Sequence, residues 1–235
     1  MYKIKILASS DEKASLGNKF REKRFQYFHS LIRPLIEDKR SKGTLPLGIL
    51  DLGGTESYWV NMSYHLNSDV EIKLVNLEKF ATSHQNITSI IGDATDLHKY
   101  EDKEYDIVFS NSVIEHLYNF DAQKKMSEEA QRVGKKHFVQ TPNKHFFIEA
   151  HYILPFFQYL PKKLQYPILT QTPLSRGRKW NKVFARQYVD EIRLLSLREM
   201  IVLFPQSRIY KEQFLGMTKS ITAHNFDDNI TDSGI

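Results

Sequence analysis

The run ILDLGGTES at residues 49–57 places an acid, Asp51, near the end of an apolar segment, followed by the paired glycines Gly53 and Gly54 and a polar start to a helix. In an open α/β sheet, ligands sit outside the carboxyl ends of the central strands, so this turn is expected to border a binding site. A dinucleotide would call for Gly-x-Gly-x-x-Gly, which lets pyrophosphate approach the helix N-terminus. Here Glu56 would set a carboxylate beside those phosphates. Asp51 and Glu56 suit a cationic ligand without phosphate.

Three further runs follow in order. LVNLEK offers Asn76, Leu77 and Glu78 at the end of a second apolar segment, IIGDATDL offers Asp93 and Ala94, and YDIVFSNSVIEHL offers Ser110, Asn111 and the pair Glu115-His116. With these four runs the chain resembles the class I S-adenosylmethionine-dependent methyltransferases, of the broad group called type 11, over about residues 45–142. The resemblance implies S-adenosylmethionine as cofactor and S-adenosylhomocysteine as product. It implies that Asp51, Gly53, Gly54 and Thr55 border the cofactor, with Ser110 and Asn111 near its methionine part. Glu78, with Asn76 and Leu77 beside it, is expected at the ribose, because a carboxylate accepts through two oxygens and an amide through one. Asp93 would accept from the adenine amino group and the Ala94 N–H would meet a ring nitrogen.

Methyl transfer from a sulfonium is an in-line displacement, so the cofactor carries the chemistry and the protein orients it in a dry pocket. The expected acceptor atom is O or N on a small molecule, and a general base is needed only where the acceptor must lose a proton. His116, just past the fourth strand, is one candidate; His145 and His151, with Glu149, form a second set in TPNKHFFIEAH. On a helix His145 and Glu149 would share a face. Some quinone-pathway O-methyltransferases carry a Glu-x-x-Glu-His pattern linked to metal at this place. Ser112 stands at its first position here, so no metal is expected.

Around these residues the chain alternates short Val/Ile-rich runs with helical or turn segments: LGILDL, VEIKLV, NITSII, YDIVFS and KHFVQT, then two later runs, RIYKEQF and TKSITAH. The pattern predicts an α/β fold with a doubly wound, Rossmann-like, seven-stranded and mostly parallel sheet covered by helices on both faces. An N-terminal helical cap is expected over residues 1–44, with an apolar stripe from Leu16 to Lys39 that Pro34 should kink or divide. The methyltransferase domain would then fill 45–235. Within it, residues 145–190 form an aromatic and partly helical insertion after the fifth strand. Ser196 and Glu199 spell a capping box for the helix that follows, and the tail DDNITDSGI is expected to fray.

Charge sharpens the division. The 235 residues carry a net +5, but by block the balance is +6 over 1–50, −6 over 51–150, +6 over 151–200 and −1 over 201–235. The acidic block coincides with the expected cofactor region. Between Ala150 and Asp190 there is no acid, whereas Arg176, Arg178 and Lys179 stand among other bases and Trp180. That composition suggests an acceptor that is anionic or lipid-like, and an even distribution suited to stable nucleic-acid binding is missing. A nucleic-acid methyltransferase and a non-catalytic binding module of the same fold are the competing readings. Cysteine is absent, which excludes disulfides, thiolate relays and sulfur-ligated zinc. The expected setting is cytoplasmic, with no transmembrane segment and an opening too short in apolar residues for a signal peptide.

Overall fold

The structure, a computed structural model, describes residues 16–227; the expected frayed tail from residue 228 and the opening run fall outside it. Helix α1 spans Leu16–Ser41 without a break, although Pro34 lies inside it. A proline in a helix interior costs about 3 kcal/mol. Phe28, Ile32 and Ile36 are all buried around it, and each such side chain contributes roughly 1.5–3 kcal/mol. Burial therefore outweighs the lost hydrogen bond, and the expected division of the helix does not occur.

Seven strands form one sheet: β1 (Leu47–Leu52), β2 (Val70–Asn76), β3 (Ile87–Ile91), β4 (Tyr105–Asn111), β5 (Gly134–Pro142), β8 (Arg208–Phe214) and β9 (Met217–His224). Their order is β3-β2-β1-β4-β5-β9-β8, and only β9 runs antiparallel to its neighbours. The expected seven-stranded, mostly parallel sheet is thus present. The order reverses between β1 and β4, and it is at the carboxyl edge beside such a switch point that open α/β sheets bind ligands.

Alternation along each strand sends side chains to two layers. On one face Ile49, Ile72, Ile107, Phe109 and Phe138 pack against Phe25, Phe28 and Ile32 of α1 and against Trp59 of helix α2 (Glu56–Asn61). The opposite face sets Leu50, Leu52, Val108 and Val139 against helices α3 (Phe120–Val133) and α6 (Leu197–Leu203). The segment expected as an N-terminal cap therefore supplies one wall of the main core. Helix α6 opens on the anticipated capping box, with the Ser196 hydroxyl accepting from the Glu199 N–H and the Glu199 carboxylate accepting from the Ser196 N–H.

After β5 the chain makes a two-strand ribbon, β6 (Ile148–Glu149) with β7 (Leu154–Pro155), and then helices α4 (Lys162–Gln171) and α5 (Lys182–Glu191). This insertion has an apolar centre of its own in Tyr152, Phe157, Leu169, Trp180, Ala185 and Val189. Residues 143–151 are turn and short strand, not helix. Among the described residues no helix is long and apolar enough to cross a membrane.

Candidate functional site

The glycine turn is built by exclusion. Gly53 has φ +76°, a left-handed conformation that side chains resist, and a Cβ there would come 2.6 Å from Val113. At Gly54 the conflict is sharper, because a Cβ would lie 1.7 Å from Asp51 Oδ2. The Asp51 carboxyl is folded directly under the turn, where it is buried and accepts a 2.8 Å hydrogen bond from Trp59 Nε1. Its Oδ1 has no hydrogen-bond partner. Burial pushes this carboxyl up to about 7, against the lowering pull of the Trp59 bond. A buried acid with an unsatisfied oxygen, packed against a turn that only glycines can make beside it, is chemically suited to a positively charged neighbour.

Asn76, at the end of β2, donates to the Gly54 carbonyl at 2.9 Å and so ties the turn to the next strand, which leaves its Oδ1 to accept. Leu77 and Glu78 follow on the exposed loop, and Leu77 (65 %), Phe80 (50 %) and Ile91 (62 %) show unusual exposure for apolar side chains at the ends of β2 and β3. Asp93 closes an Asx turn, its Oδ1 accepting from the N–H and hydroxyl of Thr95 at 2.8 Å each. Its second oxygen and the Ala94 N–H stay on the same rim.

Two residues sit differently from the expectation drawn from the motifs. Ser110 is fully buried and its hydroxyl donates to the Leu52 carbonyl, so that side chain props β1 from behind. Glu56 turns away from the glycine turn: its Oε1 accepts from the Ser83 and His84 N–H groups and meets the His84 ring at 2.7 Å. Although burial opposes it, those bonds hold the Glu56 carboxyl below its usual range. Thr55 caps α2 by position and its hydroxyl lies 3.1 Å from that of Ser57.

Asn111, at the end of β4, accepts a 2.5 Å hydrogen bond from Arg24 Nη1. Arg24 also pairs with Glu212 of β8 at 3.0 Å, both side chains being buried. Burial works to raise the Glu212 carboxyl, but Arg24 and Lys219 and the bond from Ser220 hold it below its ordinary value. The involvement of α1 at the carboxyl edge had no sequence signal, since nothing local marks Arg24 apart from the other bases of its helix.

A second constellation lies where the core meets the insertion. Glu115 and His116 occupy a short turn after β4, and His151 follows β6. His116 Nδ1 meets Glu191 Oε1 at 2.6 Å, while His151 Nδ1 meets Glu149 Oε1 at 2.7 Å. The two rings are 5.0 Å apart, edge to face. Burial lowers His151, yet Glu149 and Glu115 outweigh it and the net displacement is upward. His145 stands apart: it is exposed, with Nδ1 3.1 Å from the Tyr159 hydroxyl. The expected His145–Glu149 helical pair is therefore replaced by a Glu149–His151 pair, because the segment is not helical and the chain turns directly after Glu149, with the Ile153 N–H donating to the Glu149 carbonyl. Of the insertion's bases, Arg176 is half-buried and donates to the His151 carbonyl, whereas Arg178 and Lys179 are exposed.

Residues 53–137 match the family model described as a methyltransferase domain. No curated protein matches the chain. Among solved structures, an S-adenosylmethionine-dependent methyltransferase from Methanosarcina mazei is similar at 12% identity and TM-score 0.49, covering 76% of this chain and 92% of that one. Another from Aquifex aeolicus has 12% identity and TM-score 0.45, with coverage of 80% and 87%. An arsenic(III) S-adenosylmethionine methyltransferase from Chlamydomonas reinhardtii has 18% identity and TM-score 0.43, over 79% of this chain and 65% of that one.

Proposed function

We propose that the protein, whose residues 53–137 match the methyltransferase-domain family model, moves a methyl group from S-adenosylmethionine to an O or N atom of a small acceptor. The observation that carries this reading is Asp51: a buried carboxyl, pushed up by burial and with one oxygen unpartnered, packed directly against the Gly53–Gly54 turn. A ligand with an ammonium and a sulfonium supplies the missing positive charge, and its apolar and hydroxylated portions fit the rest of the rim. Bound there, S-adenosylmethionine would contribute the transferable methyl and a good leaving group.

The chain's own residues do the positioning. Asp51 would accept from or balance a cation. The Gly53–Gly54 backbone would lie against the ligand, with Thr55 at the helix start. Asn76 Oδ1 and Glu78 would accept from the ribose hydroxyls, Leu77 would cover the sugar and Ile91 the base, and Asp93 with the Ala94 N–H would face the adenine edge. Asn111, held by Arg24, would line the methionine end, and the buried Ser110 hydroxyl would steady β1 beneath it.

The acceptor enters from the insertion side. Arg178 and Lys179 are exposed on it, as are Ile153, Phe156 and Leu174, a mixture suited to an anionic or amphiphilic molecule. His116, His145 and His151 are the imidazoles on that side, and only His145 is exposed. Titration calorimetry with S-adenosylmethionine and S-adenosylhomocysteine tests the reading. Saturable one-site binding by the wild type, weakened at least tenfold by Asp51→Ala, is expected; absence of binding to either compound overturns it.

A further inference from the structure

Glu115, His116 and His151 each turn one ligand atom toward a common point, and these three atoms all lie within 4.8 Å of one another. Four features set the cluster apart from an ordinary surface group. Each imidazole has its Nδ1 engaged by a different carboxylate, Glu191 for His116 and Glu149 for His151. That leaves Nε2 as the other donor atom of each ring, and His151 Nε2 lies on the side of Glu115. Both carboxylates are buried and are themselves held, Glu191 by the Gln187 amide and Glu149 by the Tyr152 N–H. Glu115 is wholly buried; Thr141 donates to one of its oxygens, and the other, Oε1, has no hydrogen-bond partner and lies 4.0 Å from His151 Nε2.

An unpartnered oxygen on a buried carboxylate is costly unless something positive meets it. Histidines whose outward nitrogen is fixed by a carboxylate are oriented as metal ligands usually are. Three carboxylates around two imidazoles also leave the cluster short of positive charge when the rings are neutral. From this arrangement we infer that Glu115, His116 and His151 bind one divalent first-row transition ion, of which Zn2+ is the representative. The donor set of two nitrogens and one oxygen suits such ions and does not suit Ca2+ or Mg2+, which prefer all-oxygen surroundings.

Bonds of about 2.0–2.1 Å to Zn2+ put tetrahedral ligand atoms roughly 3.3 Å apart. From separations within 4.8 Å, the cluster needs to tighten by at most about 1.5 Å, within reach of side-chain torsions. Three protein ligands leave the fourth position for water or another oxygen donor. Ser112 takes no part, its hydroxyl donating to the Gln140 side chain at 3.0 Å. The ligand that a continuous motif would have placed there comes from the insertion, so the ion would bridge the strand-β4 turn of the core and the ribbon that begins the insertion.

Metal-free protein is titrated with Zn2+ by calorimetry, and with Co2+ followed by its visible ligand-field bands; neither readout requires a methyl acceptor or cofactor. One equivalent of Zn2+ should bind to the wild type, and Co2+ should give the intense bands of a four- or five-coordinate site. His116→Ala and His151→Ala should each weaken Zn2+ by more than about 100-fold, and Glu149→Gln by about 10–100-fold through the misplaced His151 ring. His98→Ala, at an exposed histidine remote from the cluster, should bind like the wild type. A wild type that takes up no stoichiometric Zn2+, or a Co2+ spectrum like that of the hydrated ion, overturns the inference. So does undiminished binding by Glu149→Gln together with either histidine variant.

Discussion

Replacing Asp51 by Asn separates the cost of a buried charge from its use. The Asp51 carboxyl is displaced by burial from the ordinary 3.8 to about 7. At about 1.36 kcal/mol per pH unit, that is about 4 kcal/mol of stability differing between the two ends of the range. The unfolded chain releases this proton near pH 4, while the folded chain keeps it until about pH 7. The folded state therefore binds more protons between those values, and its stability falls as pH rises through them. Asn accepts the Trp59 bond but places an amide where Oδ1 has no partner, which costs about 1–3 kcal/mol at every pH. Urea unfolding of both proteins without ligand, from pH 4 to 8, should show Asp51→Asn gaining on the wild type by about 4 kcal/mol across the interval and overtaking it at about pH 4.5–6. Saturating S-adenosylmethionine should restore the wild type's advantage at pH 8. A wild-type-minus-variant difference that stays flat within about 1 kcal/mol over pH 4–8 refutes the account of Asp51 as an uncompensated buried charge.

Gly54→Ala, which drives a Cβ to 1.7 Å from Asp51 Oδ2, should abolish binding in the same calorimetric assay and cost about 1–3 kcal/mol of stability, read by urea unfolding. Arg24→Met takes the guanidinium from buried Glu212 and leaves it Lys219 and Ser220, which should cost about 1.5–3 kcal/mol, whereas Arg24→Met with Glu212→Leu should recover part of it; thermal melts of the three proteins decide. Reversing the exposed pair with Arg178→Glu and Lys179→Glu should alter stability by no more than about 0.5 kcal/mol while raising the KM for an anionic acceptor and flattening its salt dependence, measured once an acceptor is in hand.

How far the sequence could be read depended on the range of the interactions. The strand LGILDL, the glycines after it and the capping box at Ser196 and Glu199 are decided within a few residues, and each stands where its pattern places it. Continuity of α1 through Pro34 depended on Phe28, Ile32 and Ile36 meeting strands that lie farther along the chain. The helical pairing of His145 and Glu149 failed because a four-residue interval does not tell a helix from a bent ribbon. Contacts made across the fold escaped local reading: Asn76 with Gly54, Glu56 with His84, Arg24 with Asn111 and Glu212, and His151 beside Glu115. In the last case the spacing in sequence pointed at residue 112, and the ring of His151, 39 positions on, stands there instead.

The closure of α1 against the last two strands bears on the order in which the protein is made. Tyr27 stacks on Tyr210 and bonds to His224, Phe20 meets Phe214, and Arg24 reaches Glu212. A chain emerging N-terminus first presents these α1 side chains long before residues 208–224 exist, and β9 cannot be inserted beside β5 until they do. Domains tend to fold as they emerge, but here α1 completes its contacts only with the β8–β9 hairpin. A chain stalled before β8 would bury Phe25, Phe28 and Ile32 against the earlier strands and leave Phe20, Arg24 and Tyr27 without Phe214, Glu212 and Tyr210.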